Sequence, residues 1–151
     1  MLKDRKGFTL IELLIVVAII GIIAAIAIPN LLNAIQRGKQ KRTMSDMRSV
    51  GTSVESYQVD NGFPVRDGTS RDDIVNIEIH LEPTYIKILP LDDAWKNRMH
   101  YYGVSDEYTI WSYGKDGGHD GADAQGVTRS FACDIIFANG QFVKYPEGSQ
   151  Q

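Results

Sequence analysis

Three aspartates in a glycine-rich segment are the residues of this chain best suited to bind a metal ion. Asp116, Asp120 and Asp123 are separated by four and three residues within the segment 112–123, which also contains four glycines. Calcium takes roughly six to eight oxygen ligands, which carboxylates and carbonyls on a flexible loop can supply. The alternating acidic positions and terminal glutamate of a helix-loop-helix calcium site are missing here. The segment therefore predicts either a calcium site or a solvated loop whose glycines turn the chain and whose aspartates keep it soluble.

Other reactive residue types occur without the spacing that catalysis or metal binding requires. His80, His100 and His119 have no paired ligand spacing, and Cys133 lies in an apolar run predicted to be a strand, where cysteine packs more often than it reacts. The sequence has no Gly-x-Ser-x-Gly nucleophile motif. Aspartates among its clustered glycines would repel a phosphate group. We therefore expect a protein that is not an enzyme.

The charged residues of this 151-residue chain are segregated along its length. The whole chain carries 16 basic and 19 acidic side chains, but residues 49–151 contain 16 acidic and 8 basic ones, a local net charge of −8. Nucleic-acid-binding domains are basic, so nucleic acid is not an expected partner. The single cysteine excludes an intramolecular disulfide, so something else must stabilise the domain.

An apolar segment near the N-terminus is expected to place the chain in a membrane. Residues 8–28 form a run of 21 residues that only three residues interrupt. As a helix this run would span roughly 32 Å, enough to cross a hydrocarbon core about 30 Å thick. A secretory signal peptide cut near Ala27 is one alternative, but the run is longer than a usual signal core, and Glu12 and Pro29 oppose that interpretation. A simple one-helix anchor would leave the acidic side chain of Glu12 unexplained.

The residues Lys6-Gly7-Phe8-Thr9-Leu10-Ile11-Glu12 resemble the leader and processing motif of type IV pilins and type II secretion pseudopilins. This resemblance covers about the first 34 residues and includes Pro29, which occupies the position of a proline common in the family. It implies that residues 1–7 are a leader, which a membrane-embedded prepilin peptidase removes between Gly7 and Phe8 before methylating the new amine of Phe8. Gly7 suits this reaction because it has no side chain to obstruct a catalytic site.

Cleavage at this position would create a cation that explains Glu12. An anionic side chain in a filament core is tolerable only near a cation. Phe8 and Glu12 are four residues apart, roughly 6 Å along a helix, so subunits offset by about one turn can place Glu12 beside the Phe8 amine of a neighbour. We expect this pair to set the docking register and to admit only processed subunits. The alternative is an interfacial glutamate that reaches water at the membrane face.

The helical pattern continues beyond the membrane segment, through residues 29–62. Apolar residues recur there at spacings of three and four, as in an amphipathic helix. They are Leu31, Leu32, Ile35, Met44, Met47, Val50, Val54 and Tyr57. Pro29 predicts a kink or a locally melted segment in the helix. Asp60-Asn61-Gly62 predicts the helix end, with Gly62 as a left-handed cap.

Residues 63–151 are predicted to form a globular region in which strand signals are concentrated. The segment 72–81 is compatible with a short helix or a strand. Four segments rich in β-branched and aromatic residues indicate an antiparallel sheet of three or four strands. They are 99–102, 107–113, 131–137 and 141–145, the last two joined at Asn139-Gly140 as in a tight hairpin. The predicted fold class is α+β and pilin-like, with a long N-terminal transmembrane and stalk helix packed on a small antiparallel sheet.

The segment 89–97 resembles the Asp-Pro-Trp-Gly-Asn turn found in the major pseudopilin of type II secretion. Asp93, Trp95 and Asn97 match that turn, whereas Ala94 and Lys96 replace its proline and glycine. Because tryptophan buries a large area, we expect Trp95 to act as a hydrophobic plug beneath this loop.

The segment 112–123 is similar to the loop that binds calcium in the same family. The resemblance implies a structural calcium ion held by Asp116, Asp120, Asp123 and the backbone carbonyl of Tyr113. Family members often carry Gly-Gly-Glu-Gly here, where this chain has Gly-Gly-His-Asp-Gly at 117–121.

These resemblances imply a structural subunit of a type II secretion pseudopilus, a periplasmic filament that drives protein export. The implied location is the bacterial inner membrane, crossed once, with the C-terminal domain in the periplasm. The implied partners are further copies of the chain, minor pseudopilins, the prepilin peptidase and methyltransferase, the inner-membrane assembly platform and the membrane. A type IV pilus subunit for adhesion or motility is the alternative. An anchored periplasmic binding module that never polymerises is a third hypothesis.

Overall fold

The computed structural model describes residues 7–66, 71–121 and 125–148. The chain divides into two compact units, Met1–Gln36 and Arg37–Gln151. One helix, α1, runs from Leu10 to Asn61, so its first part belongs to the first unit and its second part to the second unit. The predicted leader residues 1–6 and the predicted ligand Asp123 lie outside the described residues.

In the first unit, α1 exposes apolar side chains in every direction. Each leucine, isoleucine and valine from Leu10 to Ile35 is between 45% and 82% exposed. The mean hydropathy of an 18-residue window in this helix is 3.1. By length and composition the helix can cross a membrane, and its exposed apolar surface needs lipid or neighbouring helices to cover it.

The helix α1 continues without interruption through Pro29. A kink or a locally melted segment was expected at Pro29, and the expectation of a melted segment is therefore wrong for the described residues 10–61. Proline removes one backbone donor and crowds the preceding turn, but the hydrogen bonds of the flanking turns hold the helix on both sides. The helix ends at Asn61, where Gly62 has a φ of 82° and donates its N–H to the carbonyl of Gln58 at 2.8 Å, as the predicted left-handed cap requires.

In the second unit, α1 buries one face. The buried residues recur at the three- and four-residue spacing of an amphipathic helix. They are Gln40, Thr43, Met44, Met47, Val50, Gly51, Ser53 and Val54. The predicted stripe is thus confirmed from Met44 to Val54, whereas Leu31, Leu32 and Ile35 are exposed.

A six-stranded sheet provides most of the rest of the second unit. Its strands are β1 (Asp72–Asp73), β2 (His100–Val104), β3 (Glu107–Ser112), β4 (Gly126–Thr128), β5 (Ile135–Ala138) and β6 (Gln141–Pro146). Their spatial order is β1-β2-β3-β5-β6-β4, and every neighbouring pair is antiparallel except β4 and β6, which are parallel. The α+β class is confirmed, but the predicted three or four antiparallel strands are too few. The two additional strands have two and three residues, too few for a periodic pattern to reveal.

Two predicted segments have different structures from those expected. Residues 72–81 combine strand β1 with a 3₁₀ turn at Ile74–Ile77 and the short helix α2 at Glu78–Leu81. The strand predicted for 131–137 begins only at Ile135, so Cys133 lies in a bend before it and is partly exposed. The preceding residues form a turn in which the carbonyl of Phe131 accepts a hydrogen bond from the N–H of Lys115 at 2.9 Å.

The hairpin between β5 and β6 has the predicted two-residue turn. Asn139 and Gly140 have φ angles of 46° and 84°, the positive values that this tight turn needs at both positions. The side chain of Asn139 also accepts a hydrogen bond from the N–H of Tyr108 at 2.8 Å, which ties the turn to β3.

Helix α1 packs closely against the sheet at Gly51. A Cβ atom added at Gly51 would overlap the ring of Phe137 and lie 3.0 Å from the hydroxyl of Tyr108. Both aromatic rings belong to the hydrophobic core. A helix interior favours alanine over glycine by about 0.5–1 kcal/mol, so the absence of a side chain here reflects packing against the sheet.

We expect Gly51→Ala to lower the free energy of unfolding by about 1–3 kcal/mol, because overpacking displaces the two rings. Gly38→Ala is the matched control, since a Cβ at Gly38 would meet nothing within 4 Å; it should raise stability by up to about 1 kcal/mol. Urea unfolding of the full chain in detergent, followed by tryptophan fluorescence, measures both changes. Equal stability of the two variants would contradict the packing explanation.

Candidate functional site

The start of α1 brings Glu12 together with Thr9. The carboxylate of Glu12 accepts hydrogen bonds from the N–H of Thr9 at 2.9 Å and from its hydroxyl at 2.7 Å. In return, the N–H of Glu12 donates to the hydroxyl of Thr9 at 3.3 Å. This is a capping box, in which a threonine before the helix and a glutamate three residues later satisfy each other's backbone donors. In a single subunit, therefore, Glu12 has a partner within its own chain.

The other predicted residues of the processing and assembly site are accessible. A Cβ atom added at Gly7 would meet nothing within 4 Å, and Phe8 is 78% exposed. Both precede the first residue of α1, so the backbone at the predicted cleavage site is not part of a helix. Pro29 lies within the helix and is exposed. The segment can thus present the Gly7–Phe8 bond to an enzyme without unfolding.

The turn at 91–97 is organised by the carboxylate of Asp93. Asp93 is 3% exposed, and its Oδ1 accepts the N–H groups of Trp95 at 2.8 Å and Asn97 at 3.0 Å. Its Oδ2 accepts the hydroxyl of Ser112, at the end of β3, at 2.8 Å. Asn97 then donates its side-chain amide to the carbonyl of Gly114 at 2.7 Å. The turn therefore fixes the start of the glycine-rich loop.

This turn also contacts helix α1 and the core. The N–H of Ala94 donates to the hydroxyl of Thr43 at 3.1 Å. Trp95 packs against the core while remaining partly exposed, so it covers the core's edge. Lys96 has a φ of 75°, in the left-handed region that favours glycine, and it stands where the related turn has a glycine.

We expect Lys96→Gly to raise the free energy of unfolding by up to about 1 kcal/mol, because it relieves this backbone strain. Lys87→Gly, outside the turn, is the comparison, and urea unfolding is the measurement. If Lys96→Gly changed the stability no more favourably than Lys87→Gly does, the explanation by backbone strain at Lys96 would be contradicted.

The glycine-rich loop lies over the sheet face turned away from α1. Phe137 faces the helix at Gly51, so its strand neighbour Ile136 points to the opposite face. Trp111 pairs with Ile136 across β3 and β5, and both are buried. The guanidinium of Arg71 lies 4.4 Å from the centre of the Trp111 ring. This outer face of the sheet is therefore covered, although it is separate from the core under α1.

Asp120 and Asp134 join the loop to the β5–β6 hairpin. The N–H of Asp120 donates to Oδ2 of Asp134 at 3.2 Å, and the N–H of Asp134 donates to Oδ2 of Asp120 at 2.9 Å. The same oxygen of Asp120 accepts Nζ of Lys144, on β6, at 2.7 Å. Lys144 and the N–H of Asp134 together lower the pKa of the Asp120 carboxyl. At neutral pH this is an ion pair between a loop carboxylate and a strand ammonium.

His119 connects Asp134 to Arg71. Nη1 of Arg71 lies 3.0 Å from Nε2 of His119, and Nδ1 of His119 lies 3.0 Å from Oδ2 of Asp134. Arginine can only donate, so Nε2 accepts and Nδ1 donates to the carboxylate. Asp134 is completely buried, and its Oδ1 has no hydrogen-bond partner in the described part of the chain.

Three of the four predicted calcium ligands, Asp116, Asp120 and the Tyr113 carbonyl, lie among the described residues. Asp116 is exposed, and its Oδ1 accepts the N–H of Gly118 at 3.1 Å. The Oδ2 atom of Asp120 already holds an ammonium and an N–H, which does not fit a calcium ligand. Within residues 7–66, 71–121 and 125–148, no group of three or more His, Cys, Asp or Glu could hold a metal ion. Asp123 lies outside these ranges, and calcium binding through it and the Tyr113 carbonyl stays a prediction.

Three residues of these sites were not predicted from the sequence: Thr9, Asp134 and Lys144. The Thr-x-x-Glu spacing before an apolar run is the signature of a capping box, so Thr9 could have been found. Asp134 was hidden in a segment predicted to be entirely strand. Nothing in the sequence indicates that Lys144 is buried and paired, because a lysine in a short strand is usually exposed.

The family described as "Prokaryotic N-terminal methylation motif" matches residues 2–28. The family described as "Type II secretion system (T2SS), protein G" matches residues 30–130. Together the two matches cover both units but stop before the β5–β6 hairpin.

Individual relatives include type II secretion proteins and a type IV fimbrial protein. The type II secretion system core protein G of Vibrio cholerae is 32% identical over 135 residues, which cover 81% of this chain and 91% of the relative. The protein of the same name from Pseudomonas aeruginosa is 29% identical over 133 residues, 80% of this chain and 91% of the relative. The type IV major fimbrial protein FimA of Dichelobacter nodosus is 55% identical over only 56 residues, 37% of this chain and 36% of the relative.

Proposed function

Because the chain belongs to the type II secretion system protein G family, we propose that it is the structural subunit of a secretion pseudopilus whose growth drives protein export. The observation that carries this proposal is the apolar, exposed first part of α1 on a chain whose residues 30–130 match the protein G family. Such a helix is covered by lipid while the subunit is stored and by other helices once the subunit is in a filament. The chain is thus a membrane-anchored, filament-forming protein.

Processing converts the stored form into the assembling form. A prepilin peptidase cuts between Gly7 and Phe8 and methylates the Phe8 amine, and the methylation-motif match over residues 2–28 supports this step. The exposed, non-helical backbone at Gly7 suits access by the enzyme. The leader then lies on the cytoplasmic side and residues 37–151 lie in the periplasm, where minor pseudopilins and the assembly platform contact the growing filament.

Assembly exchanges one partner of Glu12 for another. In the single chain its carboxylate caps the helix through Thr9. In the filament the carboxylate lies beside the Phe8 amine of the neighbouring subunit, because a charge away from water needs an opposite charge. An unprocessed subunit has no amine at Phe8, so it cannot provide this partner.

A surface pilus is the second candidate function. It is favoured by the 55% identity to a type IV fimbrial protein, although that similarity covers 56 residues, 37% of the chain. The two functions share processing and polymerisation and differ in the product, a short periplasmic filament or a long surface fibre.

Deletion of the gene in its own host, with mass spectrometry of the native protein, tests the proposal. We expect the mature chain to begin at methylated Phe8, and the deletion to stop exoprotein release without removing surface fibres. Loss of fibres with normal release would favour the pilus. A chain that retains residues 1–7, or one cut near Ala27, would contradict the processing step.

A further inference from the structure

The ion pair at Asp120 leads to an inference that goes beyond the proposed function. The β5–β6 hairpin contributes Asp134 and Lys144 to the outer face of the sheet, and both side chains contact the glycine-rich loop. Both residues follow residue 130, where the match to the protein G family ends. The hairpin thus supplies the loop with partners from a segment that the family match does not include.

The position of Lys144 depends on a β-bulge. On β5, Phe137 pairs with Phe142, but Ile136 pairs with Lys144, so one residue of β6 is extra at this point. A bulge changes the direction of the side chains that follow it. Lys144 therefore shares the outer face with Ile136, and its side chain is only 9% exposed. A lysine this buried requires a carboxylate partner, which Asp120 provides.

Among the described residues, this cluster already contains two cations. Asp120 and Asp134 bring two negative charges, and Lys144 and Arg71 bring two positive ones. A divalent cation on Oδ2 of Asp120 would lie close to the ammonium at 2.7 Å from the same oxygen, and the two cations would repel each other. The Oδ1 atom of Asp134, which has no hydrogen-bond partner among the described residues, is a feature that would favour a bound ion.

We propose that Lys144 is the cation that fixes the glycine-rich loop at Asp120, so that this carboxylate needs no calcium ion. The ammonium supplies the charge that a divalent ion would bring, and the reciprocal Asp120–Asp134 hydrogen bonds supply the geometry. The β5–β6 hairpin then holds the loop at Asp120 through Lys144 and Asp134.

Thermal unfolding of the full chain in detergent micelles, in excess calcium chloride and in excess EGTA, tests this proposal. Near-ultraviolet circular dichroism is a suitable readout because both tryptophans, Trp95 and Trp111, lie in the second unit. We expect the midpoint of the unmodified chain to differ by less than about 2 °C between the two conditions. Lys144→Met should lower the midpoint by about 4–8 °C in either condition, since it leaves Asp120 without its cation.

Lys115→Met is the matched control, because Lys115 is an exposed lysine of the same loop and loses the same charge. Its midpoint should change by less than about 2 °C. Lys144→Arg, which keeps the charge, should recover more than about half of the loss caused by Lys144→Met. A Lys144→Met midpoint equal to that of Lys115→Met would overturn the proposal.

Calorimetric titration of the unmodified chain with calcium chloride keeps the proposal testable even if Lys144→Met does not fold. No binding heat that the variant Asp120→Asn removes is expected. Saturable binding heat that is lost in Asp120→Asn, together with a fall of more than about 5 °C in the midpoint of the unmodified chain on adding EGTA, would overturn the proposal and would support a calcium ion at Asp120. Neither outcome concerns export, so the failure of this inference and the failure of the proposed function are distinguishable.

Discussion

Glu12→Lys should remove more than about nine-tenths of the filaments while cleavage after Gly7 continues. The substituted ammonium would face the Phe8 amine of the neighbouring subunit, so an attraction becomes a repulsion in a site with little water. Cleavage should persist because Gly7 and Phe8 precede α1 and form their own exposed segment. Filaments are counted by electron microscopy of cell envelopes, and the mass of the recovered chain reports processing.

The capping box makes a sharper comparison possible. Glu12→Gln keeps a side chain that can still bond to the N–H of Thr9, but it removes the charge. Thr9→Ala removes the hydroxyl that bonds to the carboxylate and leaves the charge in place. If the intersubunit ion pair controls assembly, Glu12→Gln should reduce filaments strongly and Thr9→Ala only weakly. The opposite order would mean that helix capping is what assembly requires.

Crosslinking provides a second readout for the same variants. Cys133 is partly exposed and is the one cysteine of the sequence, so it is first replaced by serine. Single cysteines placed near Glu12 should then crosslink between neighbouring subunits in the parent chain and fail to do so in Glu12→Lys. Normal filaments from Glu12→Lys would refute the pairing, and a parent chain that never crosslinks would favour an anchored module that does not polymerise.

Asp93→Ala should lower the free energy of unfolding of the second unit by about 3 kcal/mol. The substitution leaves two N–H groups and the Ser112 hydroxyl without their shared acceptor in a site where Asp93 is 3% exposed. A buried donor that loses its partner keeps the full cost of leaving water. Urea unfolding of the full chain in detergent measures the change.

Asp92→Ala is the control for Asp93. Asp92 is the adjacent aspartate and pairs with Arg98 at 3.3 Å, but its side chain is 44% exposed. Exposed ion pairs contribute about 0–1 kcal/mol, so this variant should lose less than about 1 kcal/mol. Asp93→Asn, which keeps one acceptor oxygen, should lie between the two alanine variants. A similar loss for both alanine variants would show that Asp93 does not organise the turn.

The membrane helix and two turns of this protein can be predicted from local sequence patterns. A run of 21 residues that only Thr9, Glu12 and Gly21 interrupt predicts a membrane helix, and the acid near its start predicts an assembly site, because length and charge decide what a bilayer tolerates. The helix end at Gly62 and the hairpin at Asn139-Gly140 were also predictable, since each depends on positive φ angles that few residues adopt.

The arrangement of the outer face of the sheet was decided by tertiary structure alone. Asp120 and Lys144 are 24 residues apart, and neither spacing nor residue type shows that a bulge in β6 brings them together. The loop sequence predicts a calcium ion at Asp120, and the fold places the ammonium of Lys144, on a strand, beside the same carboxylate. A charge is satisfied by whatever group the fold places beside it, so the partner of a loop carboxylate is known only when the neighbouring strands are in register.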